Sequence, residues 1–76
     1  MTNQLLLDIP TKNAIELKIG DQIRLPPRYN NLEATVTFRK KSRRYPGFYE
    51  IQFEPALPNG SFSVDLKWNE LVDMTE

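Results

Sequence analysis

The stretch Arg39-Lys40-Lys41-Ser42-Arg43-Arg44 places five cations in six positions, half of the ten lysines and arginines in this 76-residue chain. Aromatic residues follow at Tyr45, Phe48 and Tyr49, with Pro46 and Gly47 between them. Like charges crowded in this way repel one another, so they make sense where a polyanion approaches. Arginine offers a planar fork of donors suited to phosphate or carboxylate, and lysine a compact point charge. An exposed Tyr45 or Phe48 adds a face on which an unpaired base can stack. Arg24, Arg28 and Tyr29 lie earlier in the chain and extend the same surface if the chain folds back on itself. The expected binding site is therefore Arg39, Lys40, Lys41, Arg43, Arg44, Tyr45 and Phe48, assisted by Arg24, Arg28 and Tyr29. The plainer alternative is a solvated loop whose charges guard a strand edge against aggregation.

Charge is distributed unevenly around a total of zero. Residues 1–23 carry −1, with Lys12 and Lys18 against Asp8, Glu16 and Asp21. Residues 24–44 carry +6, with Arg24, Arg28 and the five clustered cations against Glu33 alone. Residues 45–76 carry −5, with Lys67 against Glu50, Glu54, Asp65, Glu70, Asp73 and Glu76. The chain is a charge dipole, which bears on its partners more than the total does. Two partner chemistries suit the positive end. One is nucleic acid, DNA or RNA, bound with weak sequence specificity because no recognition helix is legible. The other is an acidic protein surface, for which salt would weaken binding less steeply.

Catalysis finds little support in the residue types. The chain has neither histidine nor cysteine, so Ser42, Ser61 and Ser63 lack the usual activating base. Three separate glycines make no phosphate-cradling loop, and the scattered carboxylates make no dense set of oxygen ligands. A non-enzymatic protein without cofactor or metal is the expectation.

The elements that must hold the basic stretch read as strands. LKIGDQIRL, LEATVTF, FYEIQFE and SFSVDLKW alternate with a period of two. The alternation predicts Ile23, Leu25, Ala34, Val36, Phe38, Tyr49, Ile51, Phe53, Phe62, Val64 and Leu66 facing inward, with Trp68 in phase behind them and closing the core. QLLLDI reads as a further strand. Turn chemistry separates these runs: Gly20-Asp21, PPRYNN at 26–31, YPG at 45–47 and PALPNG at 55–60. All six prolines fall between the apolar runs, as strand pairing requires. WNELVDM suits a single helical turn near the C-terminus, capped by Asn69. Residues 1–76 thus form one all-β domain of four to six short antiparallel strands. Strands this short must close on themselves or leave raw edges, which favours a small bent barrel over the larger OB-fold.

A chain of this size has a thin core and no disulfide to reinforce it. The opening MTNQLLLDIP lacks the features of a secretory leader, and no run reaches the about 18 apolar residues expected of a spanning helix. Together with the lack of cysteine, this points to a cytoplasmic protein without membrane insertion.

LKIGDQIRL resembles the opening strand of SH3-like barrels of the KOW and Tudor type, in which a Gly-Asp turn precedes a strand of alternating aliphatics. The order GDQIRLPPRY, ATVTF, YPGFYEIQFE and WNELVD is also similar to small SH3-like subunits of photosynthetic complexes. Examples are the SH3-like stromal subunit of photosystem I and the ferredoxin-docking S subunit of the NDH-1 complex. The likeness spans roughly residues 15–73 through spacing and residue class. It implies a small SH3-like barrel and, through the photosynthetic subunits, an accessory role docking an acidic protein or a larger complex. Separately, Arg39-x-x-x-Arg43 followed by Asn59-x-Ser61 resembles the PilZ pattern that binds cyclic di-GMP, with Val64 where that pattern carries its final glycine.

Overall fold

Alternating sequence becomes alternating burial through most of the chain. The computed structural model describes residues 9–75, and the expected strand in QLLLDI lies outside them apart from Ile9. Six strands form: β1 (Thr11–Asn13), β2 (Gln22–Arg24), β3 (Glu33–Lys41), β4 (Phe48–Glu54), β5 (Ser63–Lys67) and β6 (Leu71–Met74). They make one antiparallel sheet in the order β1-β6-β2-β3-β4-β5. β2 to β5 form a meander, and β6 returns to the far side of β2, where β1 adds the last strand. The Ala14 amide donates to the Glu70 carbonyl at 3.1 Å and the Ile15 amide to that of Trp68 at 3.3 Å. These bonds tie the β1–β2 connection to the β5–β6 turn and curl the sheet into a barrel-like shape. Among the described residues no helix is long and apolar enough to cross a membrane.

The core fills the concave face. Ile23, Val36, Ile51, Phe53, Leu66 and Val72 come from the strands, while Ala14, Leu17 and Leu57 come from connections. Tyr49 is partly buried and packs against them. Two connections carry 3-10 turns, at Ala14–Glu16 and Pro27–Tyr29. Proline suits the opening of the second because its missing N–H would be unpaired there anyway.

Three aromatic residues expected inside are exposed: Phe38 by 43%, Phe62 by 59% and Trp68 by 47%. Each has a local cause. The β3–β4 register pairs Val36 with Phe53 but Phe38 with Gln52, so Thr37 is an extra residue in β3. That bulge inverts the phase, sending Phe38 outward and Arg39 onto the core side opposite Ile51. Phe62 precedes β5, and the buried Leu57 fills that end of the core in its place. Trp68 lies just past β5, in a turn closed by the Glu70 amide donating to the Lys67 carbonyl at 2.9 Å. The expected helical turn at WNELVDM is also replaced, because its second half is β6. There Val72 is buried while Leu71 faces out, and pairing with both β1 and β2 rewards an extended backbone over one helical turn.

The Gly-Asp turn fastens the first connection to β3. Gly20, at φ +96°, donates to the Val36 carbonyl at 2.8 Å, and the Asp21 carbonyl accepts from the Val36 amide at 2.9 Å. The Asp21 carboxylate accepts from the Lys18 amide at 2.9 Å and the Lys12 ammonium at 3.0 Å. Burial of this carboxylate works to raise its pKa, but the bonds from Lys18 and Lys12 and their positive charges together outweigh it, leaving the value lowered.

Three expected outcomes test this fold. Ile51→Ala should cost about 2–5 kcal/mol in urea unfolding, as for a fully buried aliphatic. Phe62→Ser should change stability by no more than about 0.5 kcal/mol, a difference that pure alternation would not produce. Because the Asp21 pKa is lower in the folded chain, its contribution is complete above its unfolded pKa and is lost as pH falls through the folded value. Thermal melting across the range below about pH 4 should therefore show a steeper loss in the wild type than in Asp21→Asn.

Candidate functional site

The basic stretch forms the end of the β3–β4 hairpin. The Ser42 amide donates to the Phe48 carbonyl at 2.9 Å, and the Phe48 amide donates to the Tyr45 carbonyl at 3.1 Å. The second bond closes a turn with Pro46 second and Gly47 third, and Gly47 takes φ +81°, as a type II turn requires. Ser42 holds the other half of the loop, its hydroxyl oxygen accepting from the amides of both Arg44 and Tyr45 at 3.2 Å. By residue type alone Ser42 reads only as a nucleophile without a base. In the structure it orders the segment that presents Arg43 and Arg44, both exposed.

The cations expected to act together divide into two sets. Arg24 donates to Glu33, its cross-strand neighbour, at 2.8 Å. Arg28 donates to Glu70 at 2.6 Å and lies 5.0 Å over the Tyr29 ring. Its pKa is raised, chiefly by the bond to Glu70. Lys40 lies 3.8 Å from Glu50, the residue facing it on β4. Arg39, turned inward by the bulge, donates to the Ile15 carbonyl and stands 5.1 Å over the Tyr49 ring. The remaining three, Lys41, Arg43 and Arg44, form no ion pair among the described residues. Exposed ion pairs contribute only about 0–1 kcal/mol each, but every carboxylate in them cancels local positive field. The field offered to a partner therefore comes mainly from the hairpin end.

Aromatic surface gathers at the same place. Tyr45 is 50% exposed, and its ring centroid lies 5.7 Å from that of Phe48 at a tilt of 59°. Trp68 joins them from the β5–β6 turn, its amide donating to the Gly47 carbonyl at 2.9 Å. Its indole Cδ1 comes within 3.9 Å of the place a Cβ would occupy on Gly47, so the ring packs on the glycine of the hairpin turn. The alternation had assigned Trp68 to the core. The signal against that assignment was the Asn69-Glu70 pair behind it, which suits a turn and ends the strand phase.

Two grooves adjoin the edge strand β5, and one of them reaches the hairpin. Arg43 and Arg44 line the first, of about 410 Å³, together with Glu50 and Asp65. Arg28 and Tyr29 line the second, of about 390 Å³, with Leu57 and Asn59. Ser61, Ser63 and Val64 border both, so Arg28 and Tyr29 are linked to the hairpin along β5. Glu50 and Asp65 face each other across β4 and β5 and limit the positive surface on that side. Arg24 opens on another groove with Pro26 and Asp73, and Arg39 on one with Lys12, Ile15 and Lys18. Arg39 thus points away from Asn59 and Ser61, so the Arg39–Arg43 pair does not converge with them as the PilZ-like pattern would imply. Among the described residues no group of three or more carboxylates gathers as a metal-ligand set.

Comparison with known proteins finds no matching family model, no matching curated protein and no matching solved structure.

Removing the Ser42 hydroxyl tests the order of the hairpin end. In Ser42→Ala, hydrogen exchange at the Arg44 and Tyr45 amides should accelerate while exchange in β4 stays protected. Unchanged exchange at both amides would remove Ser42 from this role.

Proposed function

We propose that this protein is a non-catalytic binding module that takes nucleic acid, with weak sequence specificity, on the end of its β3–β4 hairpin. The observation that carries the reading is the coincidence, on a hydrogen-bonded loop, of three cations unpaired among the described residues with the exposed Tyr45 ring and the half-buried Phe48 ring beside it. Lys41, Arg43 and Arg44 supply phosphate contacts, and Tyr45 and Phe48 supply stacking surface. Arg28, paired with Glu70, and Tyr29 border the same edge of β5, and Arg24, Arg39 and Lys40 are likewise committed to partners within the chain. An SH3-like barrel is the fold reading that accompanies this function. The meander β2 to β5, with β6 returning beside β2, supports it.

A second reading, an accessory subunit docking an acidic protein or a larger complex, draws on apolar residues elsewhere on the surface. Ile19 is 70% exposed and Leu71 60%. Salt dependence separates the two. With three phosphate contacts on a single strand, log affinity should fall against log salt with a slope of about −2. The triple variant Lys41→Glu, Arg43→Glu, Arg44→Glu should keep its melting temperature and lose oligonucleotide binding, while Arg24→Gln should bind as the wild type does. Absence of oligonucleotide binding at low salt would overturn the nucleic-acid reading in favour of the docking subunit.

A further inference from the structure

Trp68 stands outside the buried core. The residue is about half exposed, whereas Leu66, two positions before it in β5, is fully buried. Two features nevertheless hold it in place. Its amide is bonded to the Gly47 carbonyl and its own carbonyl accepts from the Ile15 amide. The indole lies against Gly47, its Cδ1 3.9 Å from where a Cβ would stand. The indole is thereby held, just past the end of β5, against the hairpin that carries Tyr45, Phe48 and the three cations unpaired among the described residues. A tryptophan facing solvent offers a flat apolar face, and the cations of the hairpin whose turn it packs on favour a polyanion that also carries flat apolar rings.

We infer that Trp68 is a base-stacking residue that makes the site selective for single-stranded nucleic acid over duplex. The inference rests on the nucleic-acid reading of the same hairpin and deepens it. In a duplex the base faces are already stacked on one another, and only edges and backbone are offered. An unpaired base can leave its strand and lie on an indole, while the adjoining phosphates meet Lys41, Arg43 and Arg44. Sequence tolerance follows, because every base has a face to stack.

Trp68 is the only tryptophan in the chain, so its fluorescence reports on this one position. The experiment titrates the protein at low salt with a fluorescein-labelled thymidine oligonucleotide, with a duplex of the same length, and with polyglutamate. Oligonucleotide binding is followed by anisotropy and the state of the indole by Trp68 emission. The single strand should quench Trp68 with the midpoint seen by anisotropy, and polyglutamate should leave the emission unchanged. Trp68→Leu should weaken single-strand binding about 5- to 150-fold, the range lost when a stacked aromatic is truncated, and leave duplex binding unchanged. Trp68→Phe should recover part of the loss. Should Trp68→Leu fail to fold, protection of the wild-type indole from acrylamide by the single strand but not by the duplex tests the same point.

Single-strand binding without quenching, or quenching as strong with polyglutamate, would overturn the role of Trp68 and leave the hairpin's nucleic-acid reading standing. Equal loss of single-strand and duplex binding in Trp68→Leu would do the same. No anisotropy change with any oligonucleotide would overturn both.

Discussion

The register shift between Val36 and Phe38 is the constraint on which the rest of the hairpin depends. Side chains in a strand alternate strictly, so one inserted residue exchanges the two faces for everything beyond it. Before the bulge, Ala34 and Val36 enter the core. After it Arg39 takes the inward phase and Phe38 the outward one. An arginine on that face needs partners, and it finds the Ile15 carbonyl and the Tyr49 ring. Those contacts bind the hairpin to the β1–β2 connection. The connection is in turn bound to the β5–β6 turn through Ala14 and Ile15.

The same shift sorts the cations. Lys40 falls on the outer face opposite Glu50, where it meets a carboxylate, and Arg39 is held beneath it by the chain itself. Only at the last residue of β3, Lys41, and in the loop that Ser42 holds do the cations escape pairing among the described residues. Charge density in sequence and charge available in space are therefore different quantities here. Of the seven cations in residues 24–44, four are engaged in contacts within the chain, and three at the hairpin end form no ion pair among the described residues.

The aromatic side of the surface has a different origin. Tyr45 and Phe48 are local to the hairpin, and their placement follows from the turn that Pro46 and Gly47 permit. Trp68 is 21 positions beyond Gly47 and reaches it only because β5 runs antiparallel to β4 and ends level with the hairpin. β5 also stands at the sheet edge, so the grooves that border it connect the Arg28–Tyr29 loop with the hairpin.

Alternation of apolar residues in LKIGDQIRL, FYEIQFE and SFSVDLKW was enough to read an all-β chain, most of its core and the turns at Gly20, Gly47 and Gly60. These depend on neighbours a few residues apart, and local backbone preference and side-chain period carry that information. The basic hairpin was legible for the same reason, since its cations are contiguous. What tertiary structure alone decided was everything that required a distant partner. The bulge depends on how β3 meets β4, and it put Phe38 outside and Arg39 inside. The pairing of Arg28 with Glu70 joins residues 42 positions apart. The exposure of Trp68 depends on where β5 stops and the next turn begins. A period of two tells which side a residue faces only while the strand and its register continue, and long-range pairing sets where they do.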